Sequence, residues 1–119
     1  MCACARLSIY LSLEEHLTRG DTLVVFPEGQ LNRDPRKVQV FRRGSFQLAL
    51  QHNVSIWGCC IRSCDITWPR YMAIGGLPAR IEWKVWRIID HCADLPIEDL
   101  TAKCQDEMQQ AIDTLYARP

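Results

Sequence analysis

The sequence predicts an α/β domain with a mostly parallel sheet flanked by helices. Three observations point there. Apolar runs of strand length, at 23–26 and 54–61, alternate with stretches of helical periodicity. The run Leu23-Val24-Val25-Phe26 is unbroken, as expected of a parallel strand covered on both faces. The C-terminal stretch carries one apolar stripe, the mark of an amphipathic helix.

The elements follow in order. Leu7, Tyr10, Leu11, Leu13 and Leu17 recur at helical spacing, and Thr18-Arg19-Gly20-Asp21 supplies a glycine stop. The strand Leu23–Phe26 comes next, then a long loop. Phe46 to His52 reads as a short helix ended by Asn53, and Val54 to Ile61 as the next strand. Trp68-Pro69 through Gly75-Gly76-Leu77-Pro78 is loop, and Ile81-Glu82-Trp83-Lys84-Val85 alternates as a half-exposed strand should. Ile97, Leu100, Cys104, Met108, Ala111, Ile112 and Leu115 make the stripe of the last helix. With no repeat, low-complexity segment or linker, the 119 residues read as a single domain able to bury roughly two thirds of its unfolded surface.

Fourteen basic and fourteen acidic side chains cancel, so no global field argues for a nucleic-acid partner, and charge arguments must be local. The apolar start, MCACARLSIYLSL, runs directly into Glu14 and Glu15 without a cleavage site, which argues against a secretory signal. The odd count of seven cysteines then reads as free thiols in a reducing compartment. Cys59, Cys60, Cys64, His91 and Cys92 lack the tight pair-pair spacing of a structural zinc motif, so no metal is expected. Cys2 and Cys4 are read as buried or free rather than acylated. No stretch approaches the ~20 apolar residues of a membrane span, so membrane contact is expected to be peripheral. Trp57 and Trp83 fall in predicted strands and are expected in the core; the alternative for them, and for Trp68 and Trp86, is anchoring at a membrane boundary.

Ligands of open α/β sheets gather at the carboxyl ends of strands, which here means the residues after Phe26. Pro27 ends the strand, Gly29 lets the backbone turn closely, and Glu28 stands at the rim with two acceptor oxygens. Arg33, Arg36, Lys37, Arg42 and Arg43 follow, opposed within the loop only by Glu28 and Asp34. Arginine forks match phosphate oxygens, and Gly44 ahead of the next helix leaves backbone amides free to help. The chemistry suggested is a carboxylate that binds a hydroxyl beside cations that bind a phosphate. The same loop is also compatible with a merely solvated surface.

Phe26-Pro27-Glu28-Gly29, a gap, Phe41-Arg42-Arg43-Gly44, a helix containing Ala49 and a strand together resemble the glycerophospholipid acyltransferases of the 1-acylglycerol-3-phosphate acyltransferase type. The resemblance covers nearly all of the chain. It implies part of a glycerolphosphate-acyltransferase-like sheet, incomplete at its N-terminus. It also implies acyl transfer, in phospholipid biosynthesis, from acyl-CoA or acyl carrier protein to a lysophospholipid, with the acyl thioester as co-substrate and no resident cofactor. A membrane surface, on the cytoplasmic or organelle-facing side, is the implied setting. The matching positions make Glu28 and Arg42 acceptor ligands, supported by Gly29, Asn32, Arg33 and Gly44. The sequence departs from the family where Gln30-Leu31-Asn32 replaces the usual Thr-Arg-Ser, putting Leu31 where an arginine is usual and leaving Arg33 as its substitute. The Pro often found before the next strand is also missing, at Asn53-Val54-Ser55-Ile56.

The family works through His-x-x-x-x-Asp, whose histidine acts as general base. The letters occur here as His16-Leu17-Thr18-Arg19-Gly20-Asp21. They precede the 22–26 run while Glu28 follows it, a separation of roughly 15 Å for five extended residues, at the wrong edge of a sheet. The pair is therefore read as a coincidence and no catalytic residue is assigned. Whether the chain by itself is an enzyme stays open, with a non-catalytic site for an anionic lipid or phosphate as the alternative.

Overall fold

A computed structural model describes residues 3–69, 76–92 and 95–117, and of residues 3–9 the backbone alone. Its elements are α1 (Ala3–Thr18), α2 (Gly44–Gln51), β1 (Ile56–Arg62), α3 (Cys64–Thr67), β2 (Glu82–Ile89) and α4 (Ile97–Ala117). The helices and the last two strands lie where the periodicity places them. The single turn of α3 has no periodicity long enough to announce it.

The sheet differs from the expected one. Among the described residues it has two strands, β1 and β2, paired antiparallel from Ile56 opposite Ile89 to Arg62 opposite Glu82. The mostly parallel sheet is not formed. Residues 22–26 are extended chain without a ladder, and Val24 and Phe26 are 82% and 85% exposed. An apolar run expresses a tendency to be extended and buried, but a strand exists only where another backbone presents its N–H and C=O groups in register. Residues 22–26 have no such neighbour among the described residues. The direction of the β1–β2 pair is set instead by a reversal after Arg62, where Ser63 takes a left-handed conformation at φ 72° before α3.

The core lies on one side of this ribbon. Cys60 of β1 packs with Ala111 and Leu115 of α4, and its Sγ lies 3.7 Å from Sδ of Met108. A larger cluster joins Val38 and Phe41 of the long loop, Phe46 and Ala49 of α2, Ile89, Cys92, and Leu100 and Cys104 of α4. Phe41 and Phe46 stack with centroids 5.9 Å apart. Gly58 stands opposite Trp86, and a Cβ there would come within 2.6 Å of the indole, so the ring fills the space that a side chain would take.

On the other side Trp57, Cys59 and Ile61 face the same way as Trp83 and Val85, and all five are exposed. Trp57 and Trp83, expected in the core, are 54% and 69% exposed. Strand alternation shows which residues share a face but not which face a helix covers, and α4 covers the face of Gly58 and Cys60.

Helix α1 ends in a Schellman motif. The amide of Asp21 donates to the carbonyl of His16 at 3.0 Å, that of Gly20 to Leu17 at 3.0 Å, and Gly20 has φ 85°. The helix docks on the end of α2 through the Tyr10 hydroxyl, which donates to Oε1 of Gln51 at 2.5 Å. No helix among the described residues is long and apolar enough to cross a membrane.

Candidate functional site

The two motif halves meet at one corner. The amide of Gly29 donates to the Phe26 carbonyl at 3.0 Å, closing a tight turn with Gly29 at φ 63°. The amide of Arg42 donates to the Pro27 carbonyl at 2.8 Å, tying residue 42 to the turn. The Arg42 side chain then crosses directly over Gly29, where a Cβ would lie 2.5 Å from Nε. Glycine is needed here twice, for the left-handed backbone and for the close passage of a guanidinium. Beside it Oε2 of Glu28 is buried without a hydrogen-bond partner. A buried acceptor in this state costs stability, so it marks a place where the fold holds an oxygen ready for a donor.

Gly44 opens α2 just beyond Arg42, and no side chain caps the helix start. Glu28, Gly29, Arg42 and Gly44 thus belong to one corner. Arg43, one residue on, pairs with Glu98 of α4 at 2.9 Å, an exposed contact of small energetic weight.

Asn32 and Arg33 lie in the turn of the loop and serve differently. Asn32 is spent inside the loop: Oδ1 accepts from the Asp34 amide at 3.0 Å and from Nε2 of Gln39 at 3.1 Å, while Nδ2 donates to the Lys37 carbonyl. Asp34 repeats the device, its Oδ1 accepting from the Arg36 amide at 2.9 Å. Asn32 therefore holds the loop's shape, and Arg33, with neither ion pair nor hydrogen bond among the described residues, projects from it. Leu31, where the resembled family has an arginine, is 82% exposed. An open cleft of about 870 Å³ runs along this turn between Arg33, Lys37, Val40 and Gln105.

The sequence reading missed what fastens the loop. Gln109 of α4 accepts from the Val38 amide at 2.8 Å and donates to the Arg36 carbonyl at 2.9 Å. Gln105, one turn earlier, accepts from the Phe41 amide at 3.2 Å. Two glutamines four residues apart thus satisfy a loop backbone that has no strand partner among the described residues. Their spacing was visible in the sequence, but a glutamine on a helix surface carries no sign of what it will meet.

His16 and Asp21 do meet, with Nδ1 2.7 Å from Oδ2. The Schellman motif explains the contact, because its 6→1 backbone bond sets residues five apart side by side. The pair is about half exposed and stands before the 22–26 run, with Glu28 after it. Among the described residues no group of three or more His, Cys, Asp or Glu side chains could hold a metal ion. Cys60 and Cys104 are buried, and burial pushes both thiols up to about 11.

A protein-family model described as Acyltransferase matches residues 5–62, just under half of the chain. The span includes α1, the Glu28 corner, the arginine loop, α2 and β1. No curated protein and no solved structure matches the chain. The match supports the acyltransferase family, and with it acyl transfer in general.

Proposed function

We propose that the chain carries the acceptor-binding part of an acyl transfer from an acyl thioester, acyl-CoA or acyl carrier protein, to a lysophospholipid of the 1-acylglycerol-3-phosphate kind. The setting proposed is a membrane surface and the pathway phospholipid biosynthesis. In that reaction the acceptor's hydroxyl oxygen bonds to the thioester carbonyl carbon, the carbon–sulfur bond breaks, and the thiol leaves with the proton the hydroxyl gives up. The observation that carries the reading is the corner itself, where a buried, unpartnered Glu28 oxygen lies in the turn that Arg42 crosses. Glu28 accepts the hydrogen of the acceptor hydroxyl and the Arg42 fork holds the phosphate, aided by the free amides of α2.

A second reading, binding without turnover, is favoured by one observation: the chain's His-x-x-x-x-Asp pair is committed to the end of α1. One experiment separates them. Binding of 1-acylglycerol-3-phosphate and release of thiol from acyl-CoA are measured for the parent chain and for Glu28→Ala, Arg42→Ala and His16→Gln. Charge-assisted hydrogen bonds of about 1.5–3 kcal/mol predict that either of the first two weakens binding roughly ten- to a hundredfold. Glu28→Ala should leave the melting temperature unchanged or higher, because it removes an unsatisfied buried oxygen. His16→Gln should leave binding intact. Binding that responds to Glu28 and Arg42 without thiol release supports the second reading, and binding indifferent to both residues refutes the two together.

A further inference from the structure

A second cleft lies between the arginine loop and the far end of the ribbon, outside the Glu28 corner. Its volume is about 390 Å³, and its lining includes Arg33, Pro35, Ile61, Asp65, Trp68 and Tyr116. The loop, β1, α3 and α4 each contribute, so four separate parts of the chain converge on it.

Its two sides differ in chemistry. Arg33 enters from the loop without an ion pair or hydrogen bond among the described residues. Opposite it are apolar surfaces left in solvent, with Ile61 56% and Trp68 61% exposed. Two guanidiniums lie over the Tyr116 ring, with Cζ of Arg36 5.3 Å and Cζ of Arg62 5.5 Å from its centroid. Arg62 also donates to the Leu115 carbonyl at 2.6 Å, which anchors this end of α4 to β1. The wall is therefore built rather than incidental. Burial first, and Asp65 second, raise the Tyr116 phenol, which stays a hydroxyl donor at neutral pH. Asp65 shares the lining with Arg33, and among the described residues the two form no ion pair.

We propose that this cleft binds an anionic amphiphile, with Arg33 holding the charged head and Ile61 and Trp68 receiving its apolar chain. A small hydrated anion would use Arg33 and leave the apolar wall wet, whereas a neutral chain would leave the cation unanswered. Only a ligand with both parts removes apolar surface from water while pairing the arginine. The site is separate from Glu28 and Arg42 and stands whether or not the chain transfers acyl groups.

The test titrates the full chain with octyl phosphate, ethyl phosphate and octyl glucoside below their aggregation concentrations. Octyl phosphate is expected to bind at least tenfold tighter than either of the others. Ile61→Ser and Trp68→Ser should each reduce that advantage while leaving ethyl phosphate binding, which reports an intact fold, unchanged. Arg33→Gln should remove the advantage of octyl phosphate over ethyl phosphate. Trp83→Ser, which lies outside the cleft, should change nothing. The proposal is overturned if octyl phosphate shows no advantage, if the advantage survives both wall variants, or if Trp83→Ser removes it.

Discussion

Glu28 and Arg42 carry charge and announce themselves in a sequence, but the residue that makes their corner is Gly29. A side chain there meets a left-handed backbone and the Arg42 guanidinium together. Gly29→Ala should cost about 1 kcal/mol in backbone strain, and more tellingly should push Arg42 aside, because a flexible side chain yields before the turn does. Phosphate binding by this variant is expected to fall roughly tenfold while the melt shifts only slightly; an unchanged affinity would show that Arg42 needs no support from the glycine. The cysteines divide by the same residue-level logic. Cys59 and Cys64 are exposed, whereas Cys60 and Cys104 are buried, with thiols pushed from the usual value near 9 up to about 11. Iodoacetamide at pH 8 should alkylate Cys59 and Cys64 ahead of Cys60 and Cys104, as peptide mapping would record. Because the unfolded thiols release their protons at lower pH than the folded ones, their contribution to stability is complete below about pH 9 and is lost between 9 and 11. Melting temperatures at pH 8 and pH 10.5 check the direction.

At the scale of elements, the arginine loop is held by a helix instead of by strands. Its backbone hydrogen bonds go to Gln105 and Gln109, and its apolar residues Val38 and Phe41 enter the core against α2 and α4. Gln109→Ala removes the partners of a buried amide and a carbonyl, and should cost about 1–3 kcal/mol in urea unfolding. The loss should also weaken anion binding at the loop, since the cations would be attached to a less ordered backbone. A substitution without effect on both measurements would mean that Val38 and Phe41 alone secure the loop. Helix α1 shows how a motif can arise from element geometry. Its glycine stop was legible in Thr18-Arg19-Gly20-Asp21, and that same stop brings His16 against Asp21. The existence of α2, β1, β2 and α4 was legible because each has its own period. The partners of β1 and β2, and the lack of one for residues 22–26 among the described residues, were not, because a ladder is made between segments distant in sequence.

For the whole molecule, the consequence of a two-stranded ribbon covered on one side is a large apolar surface. Trp57, Ile61, Trp83 and Val85 stand exposed on the other face, and the 22–26 run, unpaired among the described residues, adds Val24 and Phe26. Surfaces and edges of this kind promote association. The isolated chain is expected to self-associate at micromolar concentration, with Trp83→Ser reducing the effect; a monodisperse monomer in sedimentation velocity, melting cooperatively at high temperature, would count decisively against this. The sequence by itself determined the local features: where helices start and stop, which residues share a face, that cations crowd one loop, and that Glu28 and Gly29 form a corner. These depend on near neighbours and on periods of two or 3.6 residues. The tertiary structure alone decided that the ribbon is antiparallel, that α4 covers the face of Gly58 and Cys60 and leaves Trp57 and Trp83 outside, and that Arg33 lines one cleft with Ile61, Trp68 and Tyr116. Each of those outcomes is a contact between residues far apart in the chain, chosen by competition for burial and hydrogen bonds that no local pattern records.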